Sequence, residues 1–206
     1  MAPVAPPICP KCGWPFPSPR ALEASPTHLC ARCRTKRIHF AVARAATLYR
    51  EAGQAREAIL AFKYTGRETL GRYLAELMAE RSGPILDAGP WDVLVPVPLH
   101  PRRERERGFN QAAFLARHVG RRVGLPVAPR ALRRVRQTPP QSGDADARRR
   151  NVRGAFAVAR PPDVAGRSIL LIDDVLTTGA TANECARTLR RARARRVGVF
   201  TLARVP

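Results

Sequence analysis

Apolar positions recur at two different periods along the chain. Between residues 55 and 78 the spacing is helical. Ala55, Ile59 and Phe62 share one face, and after a break at Tyr64-Thr65-Gly66 a second stripe follows through Leu70, Tyr73, Leu74, Leu77 and Met78. Gly83-Pro84 and Gly89-Pro90 punctuate the exit. Asp92–Pro98 reads as a strand that runs into a proline-stiffened turn, as suits a strand stopping at a site. Phe109, Ala112, Ala113, Ala116, Val119 and Val123 predict a further helix. The clearest strand signal is Ile169–Ile172, four apolar residues with none to face water, as in a strand buried on both faces of a parallel sheet. A helix follows, with Ala182, Cys185, Ala186 and Leu189 in line, so Cys185 reads as a core residue. A last strand is expected over Val197–Ala203. The pattern predicts an α/β fold with a parallel sheet.

At 206 residues there is room for one α/β domain and a small appendage. The formal net charge is +21, and of 37 basic residues only Lys11, Lys36 and Lys63 are lysines. Such a charge favours polyanions, by steering and by counterion release on a nucleic-acid backbone. It equally suits a solvated surface around a phosphate-rich small substrate. Arg187, Arg190, Arg191, Arg193, Arg195 and Arg196 crowd the end of the last helix. Cations there complement the helix dipole, and they could also form a nucleic-acid patch. No apolar run is long enough to span a bilayer, and no basic-then-apolar signal segment opens the chain. The expectation is a cytoplasmic protein without membrane insertion.

Cys9-Pro-Lys-Cys12 and Cys30-Ala-Arg-Cys33 form two Cys-x-x-Cys pairs separated by seventeen residues. Each pair can chelate one ion from a tight knuckle, and two knuckles complete a tetrahedral Zn²⁺ site. Four protein ligands leave no open position, so the role expected is structural. Gly13–Leu29 is rich in proline and serine, and the metal would supply most of the folding energy there.

Residues 169–181 carry the most chemistry. Asp173 and Asp174 end the apolar strand, Val175 and Leu176 follow, and Thr177-Thr178-Gly179-Ala180-Thr181 opens a helix. In open α/β sheets, ligands bind beyond the carboxyl ends of strands. The threonine turn offers hydroxyls and free N–H groups at a helix start, an anion site suited to a phosphate monoester. Gly179, lacking Cβ, lets the backbone approach that phosphate. The two acids would repel phosphate. They fit vicinal sugar hydroxyls, or a Mg²⁺ ion partly held by substrate oxygens. A phosphate at one end and a diol at the other describe a ribose 5-phosphate. A run rich in arginine, His100–Gln111, lies between a strand end and a helix start and reads as a loop placed to hold pyrophosphate. Its candidates are Arg102, Arg103 and Arg107, with Glu104 and Glu106 as internal partners if the turn is merely solvated. Residues 133–154 form a long polar stretch, in which Arg148–Arg153 could be a short basic helix.

The Asp173–Thr181 segment resembles the 5-phosphoribosyl-1-pyrophosphate (PRPP) motif of type I phosphoribosyltransferases. The resemblance implies that Asp173 and Asp174 contact the ribose hydroxyls, that Thr177–Thr181 cradle the 5-phosphate, and that 133–154 is a mobile loop closing over the substrate. Order narrows it further. A Cys₄ module is followed by Val95-Pro-Val-Pro98, Arg107-Gly-Phe-Asn-Gln111, Arg136-Gln-Thr, Gln141, Arg150-Asn-Val, Gly154-Ala-Phe156 and finally the PRPP motif. This arrangement is similar to the ComF family (competence protein F, amidophosphoribosyltransferase-like). It implies a type I phosphoribosyltransferase-like parallel sheet flanked by helices, with a zinc module at 1–40 and the main domain at 41–206. It also implies Mg²⁺ with PRPP, a role in DNA uptake and natural transformation, and contact with single-stranded DNA or competence helicase machinery. Either a pyrophosphate-releasing transferase or a non-catalytic sensor of PRPP or nucleotide satisfies these features.

Overall fold

A computed structural model of the protein describes residues 1–16, 28–137 and 150–206. The elements run α1 (Ala31–Thr35), β1 (Val42–Leu48), α2 (Gln54–Thr65), α3 (Glu68–Glu80), α4 (Gly83–Leu86), β2 (Val93–Pro96), α5 (Pro101–Arg107) and α6 (Gln111–Val123). They continue with β3 (Leu132–Arg134), β4 (Phe156–Val158), β5 (Ser168–Leu176), α7 (Ala180–Arg191) and β6 (Arg196–Arg204). The main sheet is parallel throughout, in the order β1-β6-β5-β2. The apolar run Ile169–Ile172 becomes a central strand because neighbours on both edges satisfy its backbone. Ile169 pairs with Val93 and with Val197 in register.

Alternation along β5 then builds two layers. Ile169 and Leu171 face one apolar layer, with Ala182, Cys185, Ala186 and Leu189 of α7, Leu132 and Phe156 of the β3–β4 hairpin, Phe40 and the four N-terminal cysteines. Leu170 and Ile172 face the other, with Ile59 and Phe62 of α2, Leu74 and Met78 of α3, and Leu115 and Val119 of α6. The helix stripes come out with one change of phase. Tyr73 is 61% exposed, and the neighbouring Gly71 takes the inward place. A Cβ at Gly71 would lie 2.5 Å from the Phe62 ring and 2.7 Å from Phe114, so close approach of α2, α3 and α6 requires glycine there. In α6 the inward face also takes Phe114 and Leu115, while Phe109 precedes the helix.

Two polar segments differ from their expected form. The arginine run is a helix, α5, and not a loop. Pro101 occupies its first turn, the His100 ring accepts from Arg102 N at 3.3 Å, Arg102 pairs with Glu106 at 2.9 Å, and Gly108 ends it in the left-handed region. The start of 133–154 belongs to an antiparallel pair, Leu132 with Val158 and Arg134 with Phe156. Beyond it, Arg136 donates to Asn151 O at 2.9 Å and to Arg153 O at 2.7 Å. The rest of the expected mobile loop, residues 138–149 with Gln141 and Arg148, lies outside the described residues. Among the described residues no helix is long and apolar enough to cross a membrane.

Candidate functional site

The polar end of β5 is where the sheet opens. Pairing to β6 continues through Asp173–Thr201 to Leu176–Arg204, and the chain turns at Thr177–Gly179 into α7. Gly179 has φ +66° and caps α7; an ideal Cβ on it would sit 3.1 Å from the Arg32 guanidinium. A cavity of about 630 Å³ lies over this edge, within the range of small-molecule sites. Its walls come from the carboxyl ends of the strands: Tyr49 after β1, Val97–Leu99 after β2, and Asp173–Thr177 on β5 and the turn. Lys63 and Tyr64 from the end of α2, Arg134 from β3, and the α5–α6 junction close it.

The expected site residues separate by where their side chains point. Asp173, Asp174, Val175, Leu176, Thr177, Gly179, Ala180 and Thr181 all line the cavity. Thr178 is not in the wall; its hydroxyl accepts from Ala180 N at 3.4 Å and shapes the turn. Arg103 and Arg107, four apart on α5, share one face and reach the cavity, whereas Arg102 pairs with Glu106 at the exposed surface. That distinction needs a helix, and the loop reading could not make it. Lys63, Tyr64 and Arg134 were missed. Lys63 joins from a helix distant in sequence, and nothing in its local pattern marks it.

The two acids have different surroundings. Asp174 pairs with Lys63 at 2.7 Å. Burial, followed by the charge of Asp174, pushes Asp173 up to about 7 from 3.8, against the Asp174 N–H it accepts at 2.9 Å and the pull of Lys63. Asp173 therefore exchanges its proton near neutrality. Because its folded pKa lies above the unfolded one, the folded state holds a proton that the unfolded chain releases between about pH 4 and pH 7, so stability falls as pH rises through that window. We expect urea unfolding of the ligand-free protein to lose on the order of 2 kcal/mol between pH 5 and pH 8 from this group, and Asp173→Asn to flatten that decline. An equal decline in Asp173→Asn would assign it elsewhere.

A second groove, about 730 Å³, adjoins the first at Ala180. Arg37, Arg153, Arg187, Arg190 and Arg191 line it, with His39 held below its usual pKa by burial and by the Arg37 and Arg187 charges. Part of this basic surface is structural. Arg187 Nε donates to Glu184 Oε2 at 2.8 Å, and Glu184 also accepts from Gly154 N at 2.7 Å. Arg190 donates to the carbonyls of Ala194 and Arg195, closing the end of α7. Arg195 pairs with Asp92 at 3.1 Å, and Arg196 donates to Ala88 O at 2.7 Å while stacking on Trp91.

Cys9, Cys12, Cys30 and Cys33 come together with all four sulfurs within 4.8 Å, and Cys12 Sγ lies 3.6 Å from Cys30 Sγ. Tetrahedral Zn²⁺ with bonds of about 2.3 Å needs sulfurs roughly 3.8 Å apart, so the donor set fits. The sulfurs contest their protons. Hydrogen bonds from Cys12 and Cys33 hold Cys9 far below its usual range, and bonding to Cys12 and Cys9 pushes Cys33 far above. Four cysteines placed this close could hold a metal ion among them. Arg204, 1% exposed and stacked on Trp14, supplies positive charge beside the cluster, where the Cys12 sulfur opposes the effect of its burial. The first knuckle is stitched to β1 by Ala43 N donating to Lys11 O at 2.7 Å and Arg44 to Pro10 O at 3.0 Å. The second reaches the Thr177–Gly179 turn through Arg32. The chain leaving it is tied to the first turn of α7, where Asn183 accepts from His39 N at 2.7 Å and donates to Arg37 O at 3.2 Å.

Comparison with known proteins agrees with this architecture. The phosphoribosyl transferase domain family matches residues 73–206. Competence protein F of Haemophilus influenzae is 36% identical over 115 residues, covering 55% of this chain and about half (50%) of that protein. DNA utilization protein YhgH of Escherichia coli K12 is 33% identical over 205 residues, covering 96% of this chain and 84% of that protein. Among solved structures, glutamine PRPP amidotransferase from Bacillus subtilis, complexed with ADP and GMP, overlaps 64% of this chain and 25% of that one, with a TM-score of 0.43 and 20% identity. With a cysteine cluster leading into a phosphoribosyl transferase domain, and relatives aligned along nearly its whole length, the chain belongs to the ComF family.

Proposed function

We propose that the cavity binds PRPP or a related ribose 5-phosphate, together with Mg²⁺, and that the protein serves DNA uptake. The observation that carries the reading is the meeting, in one cavity, of an acid pair and an anion turn from a single strand–turn–helix unit, faced by two arginines of one helix. Thr177, Thr181 and the turn's N–H groups suit the 5-phosphate. Asp173 and Asp174 accept from the ribose hydroxyls, which requires Asp174 to exchange its Lys63 partner for ligand. Arg103 and Arg107 offer fixed positive charge for pyrophosphate, which favours its departure in a transferase. Mg²⁺, when bound with the ligand near Asp173 and Asp174, would neutralise pyrophosphate charge. The names of the relatives, competence protein F and DNA utilization protein, support the DNA-uptake role. Calorimetry tests the ligand. Mg²⁺·PRPP should bind with micromolar affinity, while ribose alone gives no heat; silence up to millimolar PRPP would overturn the reading.

The basic groove favours a second reading, in which the protein holds single-stranded DNA with or without turnover. Exposed arginines continuous with an anion turn suit a phosphodiester backbone. Its test is the salt dependence of oligonucleotide binding. Arg191→Ala and Arg37→Ala should each reduce the slope of log K against log salt by about 1. Slopes unchanged in both would remove DNA from this groove.

A further inference from the structure

We propose that Gln111 is a ligand-binding residue of the cavity, its amide NH₂ donating to the pyrophosphate end of the sugar phosphate; the inference rests on the PRPP reading above. Gln111 begins α6, is 2% exposed and lines the cavity beside Arg107. Its Oε1 accepts from Arg107 Nη1 at 2.8 Å. A guanidinium only donates, so this contact fixes the amide: the oxygen faces Arg107 and the NH₂ group faces away from it. That NH₂ is buried and has no hydrogen-bond partner among the described residues. A buried amide donor without an acceptor is costly, and few are retained. A ligand that brings acceptor oxygens into the cavity removes that cost.

The surroundings choose among acceptors. Asp173 and Asp174 sit at the diol side, and the Thr177–Thr181 turn already supplies donors for the 5-phosphate. Gln111 instead lies next to Arg107, one turn of α5 from Arg103, the two cations best placed for the second anionic group. Arg107 is held by stacking on Tyr64, 5.6 Å to the ring centroid, and by Gln111 itself. Asn110, capping α6 through Ala113 N at 3.3 Å and donating to Val97 O at 3.2 Å, fixes the backbone from which Gln111 projects. The amide oxygen and the backbone are thus held before any ligand arrives, and only the covered NH₂ group has to open toward it, which lowers the ordering cost of binding.

The test compares two ligands on three proteins. Gln111→Leu removes the donor, and Gln111→Glu keeps the shape and the Arg107 contact but replaces the donor with negative charge, so the latter stays folded even if the former does not. Calorimetry should show Mg²⁺·PRPP weakened about tenfold in Gln111→Leu and about a hundredfold in Gln111→Glu. Ribose 5-phosphate, which lacks the pyrophosphate, should change by less than about threefold in either. Equal loss for both ligands, or PRPP affinity unchanged in Gln111→Glu, would overturn the assignment. Failure of wild type to bind either ligand would instead overturn the reading on which it rests.

Discussion

Replacing both acids, Asp173→Ala with Asp174→Ala, should reduce Mg²⁺·PRPP affinity by at least about a hundredfold and take it beyond calorimetric detection. Each carboxylate offers two acceptor oxygens to the ribose hydroxyls, and charge-assisted bonds of this kind are worth about 1.5–3 kcal/mol apiece. The same change frees Lys63, now bonded to Asp174 at 2.7 Å, and leaves Glu106 as the one acidic side chain among the described residues that line the cavity. Inorganic pyrophosphate, which has no diol, should therefore bind the double variant as well as it binds wild type, or better. The opposite responses of the two ligands separate loss of ribose recognition from collapse of the site. Stability should not suffer. Asp173 is held in an environment that disfavours its charge, so its removal relieves strain at neutral pH. A variant that loses both ligands together would point to misfolding, and one that keeps PRPP would remove the acids from the site.

Loss of one cysteine of the cluster should have the largest effect on stability. We expect Cys33→Ser to lower the thermal midpoint by about 10 °C, from a cost of roughly 3–5 kcal/mol, and excess chelator to do the same to wild type with little further effect on the variant. The four cysteines are not an appendage in packing terms. They share an apolar layer with Leu171 of β5 and Leu189 of α7. The two knuckles are fastened to different parts of the domain, one to β1 and the other to the Thr177–Gly179 turn and α7. A metal joining the knuckles therefore ties those parts together. Its removal leaves Arg204 buried beside uncompensated thiols, a costly arrangement. Differential scanning calorimetry decides the matter; a midpoint unmoved by chelator and by Cys33→Ser would deny the cluster a structural ion.

The parallel sheet was legible because Ile169–Ile172 has no polar residue, and only a strand covered on both faces tolerates that. The acids and the threonine turn were legible because one continuous segment carries them. Other parts depend on information that local pattern does not hold. The α5 helix has no apolar stripe; its stop signals and charge pairs hold it, and these appear only as a run of arginines. Arg204 sits fully buried in a strand, where periodicity anticipates an apolar residue, since its partner is the cysteine cluster and not water. Lys63 and Arg134 reach the cavity through the packing of α2 and β3 against the sheet edge, and no short motif announces them. Gln111 lay in plain view within the Arg107–Gln111 run, but its role follows only from the orientation that Arg107 imposes on its amide.

A crystal structure of the protein soaked with Mg²⁺·PRPP tests the account most directly. The 5-phosphate should lie over Thr177–Thr181, the ribose hydroxyls should replace Lys63 on Asp174, and the pyrophosphate should extend toward Arg103, Arg107 and Gln111. Density for the sugar phosphate in the Arg187–Arg191 groove instead, or a cavity still closed by the Lys63–Asp174 pair at saturating ligand, would contradict it.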